Sequence, residues 1–158
     1  MAMTIALIGY GEVGRILAED LRARGESVVA FDLKLDGDAG AAMREHASTQ
    51  GIALATSHAD AVRGADLVIS AVTASQAVPV ALACAAGLKK GAFFLDFNSA
   101  SPGAKIRAAK TVNAVGARYV EGAVMTSVPP YRIKVPLLLG GPDAAALEPV
   151  LNGLGFAA

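Results

Sequence analysis

Six residues near the start of the chain, Gly9-Tyr10-Gly11-Glu12-Val13-Gly14, restrict its fold more than any other stretch. They follow the apolar run Thr4-Ile5-Ala6-Leu7-Ile8, and they lead into Val13, Ile16, Leu17 and Leu21, which recur at helical spacing. The order predicts a strand, a tight glycine turn and a helix. Gly25 is a natural left-handed terminator for that helix, and residues 27–31 resume extended structure that ends at Asp32. A βαβ unit is thus complete early in the chain, and its two strands must be parallel, because a helix is the return path between them.

The rest of the chain repeats the alternation. The patterns predict a loop at 36–40, a helix at 41–50, a short strand at 52–55, a helical turn at 60–64 and a buried strand at 67–72. A helix at 76–86 follows, with Pro79 tolerated in its first turn, then a strand at 92–97, a helix at 102–115 and a strand at 119–124. A turn at Pro129-Pro130 leads to a seventh strand at 135–139 and a last helix at 142–151. Alternation of this kind calls for an α/β fold, a Rossmann-type, doubly wound, mostly parallel sheet with helices on both faces. Apolar residues make up 54% of the chain and charged ones 18%, as suits strands covered on both sides. With 158 residues there is room for one such domain, spanning 1–158.

Several function classes fall away. A formal net charge of +0 with no dense basic cluster argues against nucleic-acid binding. The uncharged stretch 67–88 is interrupted by Thr73, Ser75, Gln76 and Pro79, so it reads as strand, loop and helix rather than a membrane span. Residues 1–10 lack the basic start of a secretory signal and read as the first strand. The lone Cys84 lies in an apolar run and is expected to be a small core residue in a reducing cytoplasm. His46 and His58 lack any paired ligand spacing, so no metal site and no histidine-based triad is expected, and both read as ordinary surface histidines.

What remains is nucleotide chemistry. In a G-x-G-x-x-G turn the first glycine, Gly9, permits the tight bend, and Gly11 removes a side chain where a pyrophosphate must approach the backbone. Gly14 lets the helix close on the sheet, and the amides and dipole at the start of that helix receive the phosphate charge. The turn as a whole, including Tyr10, Glu12 and Val13, is the predicted cofactor loop. Asp32 stands where an acidic residue is expected for the ribose hydroxyls; its charge favours NAD over NADP, although Lys34 is two residues away. At the same sheet edge, Val72 and Thr73 end the fourth strand, and Asn98 and Ser99 follow the fifth. These four are further candidates for cofactor contact, whereas Ser101 before Pro102 is an ordinary helix cap.

Taken together, these residues resemble the β-hydroxyacid dehydrogenases, whose cofactor domain is similar to that of 6-phosphogluconate dehydrogenase. The likeness rests on Ile5-Ala6-Leu7-Ile8-Gly9-Tyr10-Gly11-Glu12-Val13-Gly14, on Ala65-Asp66-Leu67-Val68-Ile69 leading to Val72-Thr73, and on Phe94-Leu95-Asp96-Phe97-Asn98-Ser99. It continues through Tyr119-Val120-Glu121-Gly122-Ala123-Val124-Met125 and Leu137-Leu138-Leu139-Gly140-Gly141. The resemblance implies hydride transfer between a nicotinamide and a small hydroxy acid, with Asn98 and Ser99 near the nicotinamide. Typical members carry a Ser-Gly-Gly substrate loop after the sixth strand. Here that place reads Met125-Thr126-Ser127, leaving Thr126 and Ser127 as the substrate-side candidates. Family members supply a catalytic lysine from a helical second domain, which is absent from this chain. None of Lys34, Lys89, Lys90, Lys105, Lys110 and Lys134 takes its position, and all six read as solvated surface residues. The chain is therefore expected to be catalytically incomplete, assigned no catalytic residue, and part of a homo-oligomer through a second domain. A non-catalytic NAD-sensing module is the alternative.

Overall fold

The computed structural model describes residues 3–158; Met1 and Ala2, and with them the start of the 1–10 reading, lie outside the described residues. Seven strands form one sheet in the order β3-β2-β1-β4-β5-β6-β7. They are β1 (Thr4–Ile8), β2 (Ser27–Phe31), β3 (Ala53–Leu54), β4 (Leu67–Ser70), β5 (Phe93–Asp96), β6 (Arg118–Val124) and β7 (Leu137–Gly140). Neighbours are parallel except β6 and β7, which run antiparallel.

The helices are α1 (Glu12–Ala23), α2 (Gly40–Gln50), α3 (His58–Val62), α4 (Ala77–Ala85), α5 (Pro102–Ala114), α6 (Val128–Tyr131) and α7 (Ala144–Gly153). Short 3-10 turns at Leu33–Asp36, Ala74–Gln76 and Arg132–Lys134 complete the chain. The Rossmann-type, doubly wound α/β architecture is thus the observed one. β4 and β5 are buried along their whole length, and so is β1 apart from Thr4, because each lies between two other strands and under helices.

Departures from the sequence reading have local causes. The Pro129-Pro130 segment is one turn of helix, α6, since proline is accommodated in a first helical turn where its missing N–H costs nothing. The seventh strand begins at Leu137, after Pro136, and it runs antiparallel to β6, the chain returning through α6 and the 3-10 turn after it. β4 ends at Ser70, two residues early, since the chain turns outward there and the Val72 N–H donates to the Asn98 side chain (2.7 Å).

The winding fixes where a ligand can sit. From β1 the chain runs outward through β2 to β3, then returns across β1 to β4 and builds the other half of the sheet. The connections leaving β1 and β4 therefore diverge, and a crevice opens beyond their carboxyl ends.

Candidate functional site

The glycine turn lies at that crevice. Gly9 has φ +98°, a conformation that side chains rarely adopt, and a Cβ there would fall 2.1 Å from the Ala71 carbonyl oxygen. At Gly14 a Cβ would fall 2.1 Å from the Gly9 carbonyl oxygen, so α1 seats directly on the turn. Gly11 differs from both: a Cβ there meets nothing within 4 Å. The protein's own structure explains Gly9 and Gly14. At Gly11 it leaves open space over the start of α1, a 12-residue helix whose N-cap, Gly11 itself, brings no side chain to cap it.

Asp32 stands at the end of β2 and holds this turn in place. Its Oδ2 accepts the Tyr10 N–H (2.8 Å) and its Oδ1 accepts the Lys34 N–H (2.9 Å). The carboxylate thus braces the turn and starts the next 3-10 turn, while keeping acceptor capacity on both oxygens. A cleft of about 540 Å³ lies above these groups, walled by Gly9, Gly11, Glu12 and Val13 from the turn, and by Phe31, Asp32, Leu33 and Lys34 from β2 and beyond. His58, Ala71, Val72, Thr73, Gln76 and Val80 complete its lining. A second hollow of about 250 Å³ shares Val13, Ala71 and Val72 and adds Phe97, Ser99, Val124, Thr126 and Val128.

Most of the residues singled out from sequence line these two hollows, but four do not. Tyr10 is fully buried beneath the turn, and its hydroxyl hydrogen-bonds His46 Nδ1. Burial pushes that hydroxyl up to about 12. Gly14 faces the Gly9 backbone rather than the cleft. Asn98 is 4% exposed; besides holding Val72, it donates from Nδ2 to Ser70 Oγ (3.1 Å), so its side chain ties the β4 loop to the β5 loop. Ser127 is exposed at the start of α6 and lines neither hollow.

Both histidines correct the surface reading. His46 is half-buried on α2, bonded through Nδ1 to Tyr10 and through Nε2 to Glu19 Oε2 (2.6 Å). Glu19 in turn accepts from Arg132 Nη2 (2.7 Å), and Arg132 Nε donates to Asp20 Oδ1 (3.0 Å). A line of side chains therefore joins the glycine turn to the segment after α6. His58 is half-buried in the cleft wall, edge-on to Phe31 with ring centroids 4.8 Å apart. Periodicity cannot find either residue, because each is defined by a partner on another element.

Lys105 is a third correction: it is 7% exposed, and its Nζ donates to the Gly122 carbonyl (3.3 Å) and lies 3.5 Å from Glu121 Oε1. Its aliphatic stem runs under α5 to an acceptor on β6, so it is not solvated. Beside it, the buried Asp96 carboxylate accepts the Tyr119 hydroxyl (2.6 Å) and the Asn98 N–H (3.0 Å). Among the described residues no group of three His, Cys, Asp or Glu side chains is placed to hold a metal, and no helix is long and apolar enough to cross a membrane.

Fold and turn together define a Rossmann-type dinucleotide-binding domain: a switch-point crevice, a glycine placed for backbone approach, and a carboxylate at the end of the second strand. Residues 4–155 match the family model described as the NAD binding domain of 6-phosphogluconate dehydrogenase, and the chain belongs to that family.

Among solved structures, a conserved hypothetical protein from Sinorhizobium meliloti 1021 is 37% identical with a TM-score of 0.92, the match covering 99% of this chain and 52% of that one. MTH1747, a conserved protein of unknown function described as similar to 3-hydroxyacid dehydrogenases, is 30% identical with a TM-score of 0.81 over 98% of this chain and 55% of its own. The fold is shared with the 3-hydroxyisobutyrate dehydrogenase of Mycobacterium tuberculosis, at 22% identity and a TM-score of 0.84, over 98% of this chain and 52% of that enzyme. The chain spans about half the length of these structures. No match is found among the curated proteins.

Proposed function

We propose that this chain is the cofactor-binding part of an NAD-dependent oxidoreductase of the β-hydroxyacid dehydrogenase type. Its substrate would be a small hydroxy acid or a related compound. The observation that carries this reading is the open space at Gly11, which adjoins the start of α1 and shares a cleft with Asp32. A bare backbone beside unsatisfied helix amides suits a diphosphate, and a carboxylate with free acceptor capacity suits a ribose diol. The same carboxylate repels a 2′-phosphate, which favours NAD over NADP.

In this reading Gly9, Gly11, Glu12 and Val13 surround the diphosphate, and Asp32 takes the ribose. Val72 and Thr73 border the middle of the cofactor, and Ser99 and Thr126 line the hollow beyond it. Tyr10, Gly14 and Asn98 act by holding the turn and the β4 loop. A nicotinamide bound there would accept the hydride from the hydroxyl-bearing carbon of the substrate and return it in the reverse reaction. The walls of the second hollow offer two hydroxyls and apolar groups but no acid or base, so the proton carrier comes from outside these residues. A second domain completing the site accords with Met125 and Tyr131, large apolar side chains more than half exposed on the segment bordering that hollow. Assembly into a homo-oligomer and a cytoplasmic location, the latter resting on the single Cys84, belong to the same proposal. The lack of an acid or base in the second hollow also suits a non-catalytic NAD-sensing module, which would bind NADH equally well and turn over nothing.

Fluorescence titration with NADH and NADPH tests the proposal. Saturable NADH binding, with NADPH weaker, is the expected result; no saturable binding of either nucleotide overturns it. Asp32→Ala is expected to weaken NADH by about tenfold or more, the value of a charge-assisted hydrogen bond, and to narrow the gap to NADPH.

A further inference from the structure

The cleft wall holds one ionisable group that the reading above leaves without a task. His58 is the first residue of α3, and its ring lies edge-on to Phe31 at an interplanar angle of 70°. Phe31 immediately precedes Asp32, so the imidazole stands beside the end of β2, where Asp32 and Lys34 face the same cleft. Unlike His46, bonded at both ring nitrogens, His58 has no hydrogen-bond partner for its ring among the described residues.

Its electrostatic surroundings are simple. β1 and α4, which contact α3, carry no charged side chain; from the β2 side come Asp32 and, just beyond it, Lys34. On α3 itself Asp60 is engaged by the Ser57 side chain, which caps its N–H, and by Arg63 (3.2 Å). Burial holds the ring below the ordinary histidine value, and Asp32 pulls in the opposite direction with the smaller effect. The ring is accordingly neutral at pH 7 and takes up its proton below the ordinary histidine range. The wall groups Glu12, Asp32, Lys34 and His58 then pass from one net negative charge to none.

We propose that His58 is a specificity-determining residue of the nucleotide site, whose charge state sets how strongly the cleft discriminates against a phosphate on the ribose 2′ position. This rests on the nucleotide reading given above. With the ring neutral, Asp32 opposes a 2′-phosphate with only Lys34 to offset it. With the ring charged, the cleft wall carries two cations, Lys34 and His58, alongside Asp32, and the penalty against NADPH shrinks.

The experiment compares the ratio of NADPH to NADH dissociation constants between pH 8 and a pH below the midpoint of the His58 ring titration, located by NMR in the parent, for the parent and for His58→Gln. The phosphate has its own ionisation near pH 6 and contributes to both proteins alike, so the difference isolates the ring. The parent ratio is expected to fall by about fivefold more than that of His58→Gln, the size of one partly screened charge interaction. A second measurement needs no variant. In the parent, the His58 ring resonance should titrate at higher pH with adenosine 2′-phosphate bound than with adenosine 5′-phosphate bound. Parallel ratio profiles in parent and variant, or a His58 titration indifferent to the 2′-phosphate, overturn the proposal while NADH binding stands. Failure of both dinucleotides to bind overturns the nucleotide reading itself.

Discussion

The glycines at positions 9 and 11 should respond in opposite ways to the same substitution. At Gly9, alanine must adopt φ +98° and must also place its Cβ 2.1 Å from the Ala71 carbonyl oxygen. The conformation costs about 1–2 kcal/mol, and forcing a methyl into close-packed backbone adds about 1–3 kcal/mol. The sum is about 2–5 kcal/mol, or roughly 4–20 °C in Tm for a chain of this size. At Gly11 the backbone is at φ −84° and ψ −152°, and the methyl meets nothing within 4 Å. Only the weaker capping of alanine counts there, about 1 kcal/mol or less.

Nucleotide affinity should order the two variants differently. The Gly11→Ala methyl would enter the space proposed for the diphosphate and should weaken NADH at least about tenfold, although that variant is the better folded of the two. Thermal melts without ligand, followed by NADH titration below the transition, read both quantities. Gly11→Ala binding NADH with the parent's affinity would refute the argument, since the open space would then have no bearing on the ligand.

Three further outcomes follow from the buried and paired groups. Tyr119→Phe removes the hydroxyl that serves the 1%-exposed Asp96, and should lower stability by about 1–3 kcal/mol in urea denaturation without loss of the native circular dichroism spectrum. The Glu19 carboxyl is held below its usual range chiefly by the His46 hydrogen bond, and Asp66 by Lys89 and the Thr4 N–H. A lowered folded-state value contributes stability that is present above the ordinary carboxylate pKa and is lost as the pH falls through the folded-state value. Asp66→Asn should therefore lose less Tm than the parent between about pH 5 and about pH 3. Burial raises the Cys84 thiol to about 12, so iodoacetamide at pH 8 should label it only in the presence of denaturant, as mass spectrometry will show.

The parts of this protein legible in the sequence are those whose cause lies within a few residues. Gly9 needs a left-handed backbone, Ile16, Leu17 and Leu21 repeat at the helical period, and the Asp32 carboxylate follows a strand that ends at a fixed distance from the turn. Each can be read in a short window, which is why the alternation of strands and helices and the glycine turn between β1 and α1 are legible there. The antiparallel course of β7 is not, because nothing local distinguishes a strand that returns from one that continues.

Tertiary structure alone decided the tasks of several named side chains. Asn98 reads as a cofactor contact in sequence, yet its amide spans to Val72 and Ser70, 26 and 28 residues away. Tyr10 meets His46 over 36 residues, and Arg132 reaches Glu19 over 113. Such contacts form only when the sheet has closed and brought distant segments to within hydrogen-bond length. The sequence by itself determined that a glycine turn joins the end of β1 to the start of α1. Folding determined which polar groups border that turn and which hold it in place, because a buried polar atom must find a partner wherever the fold supplies one.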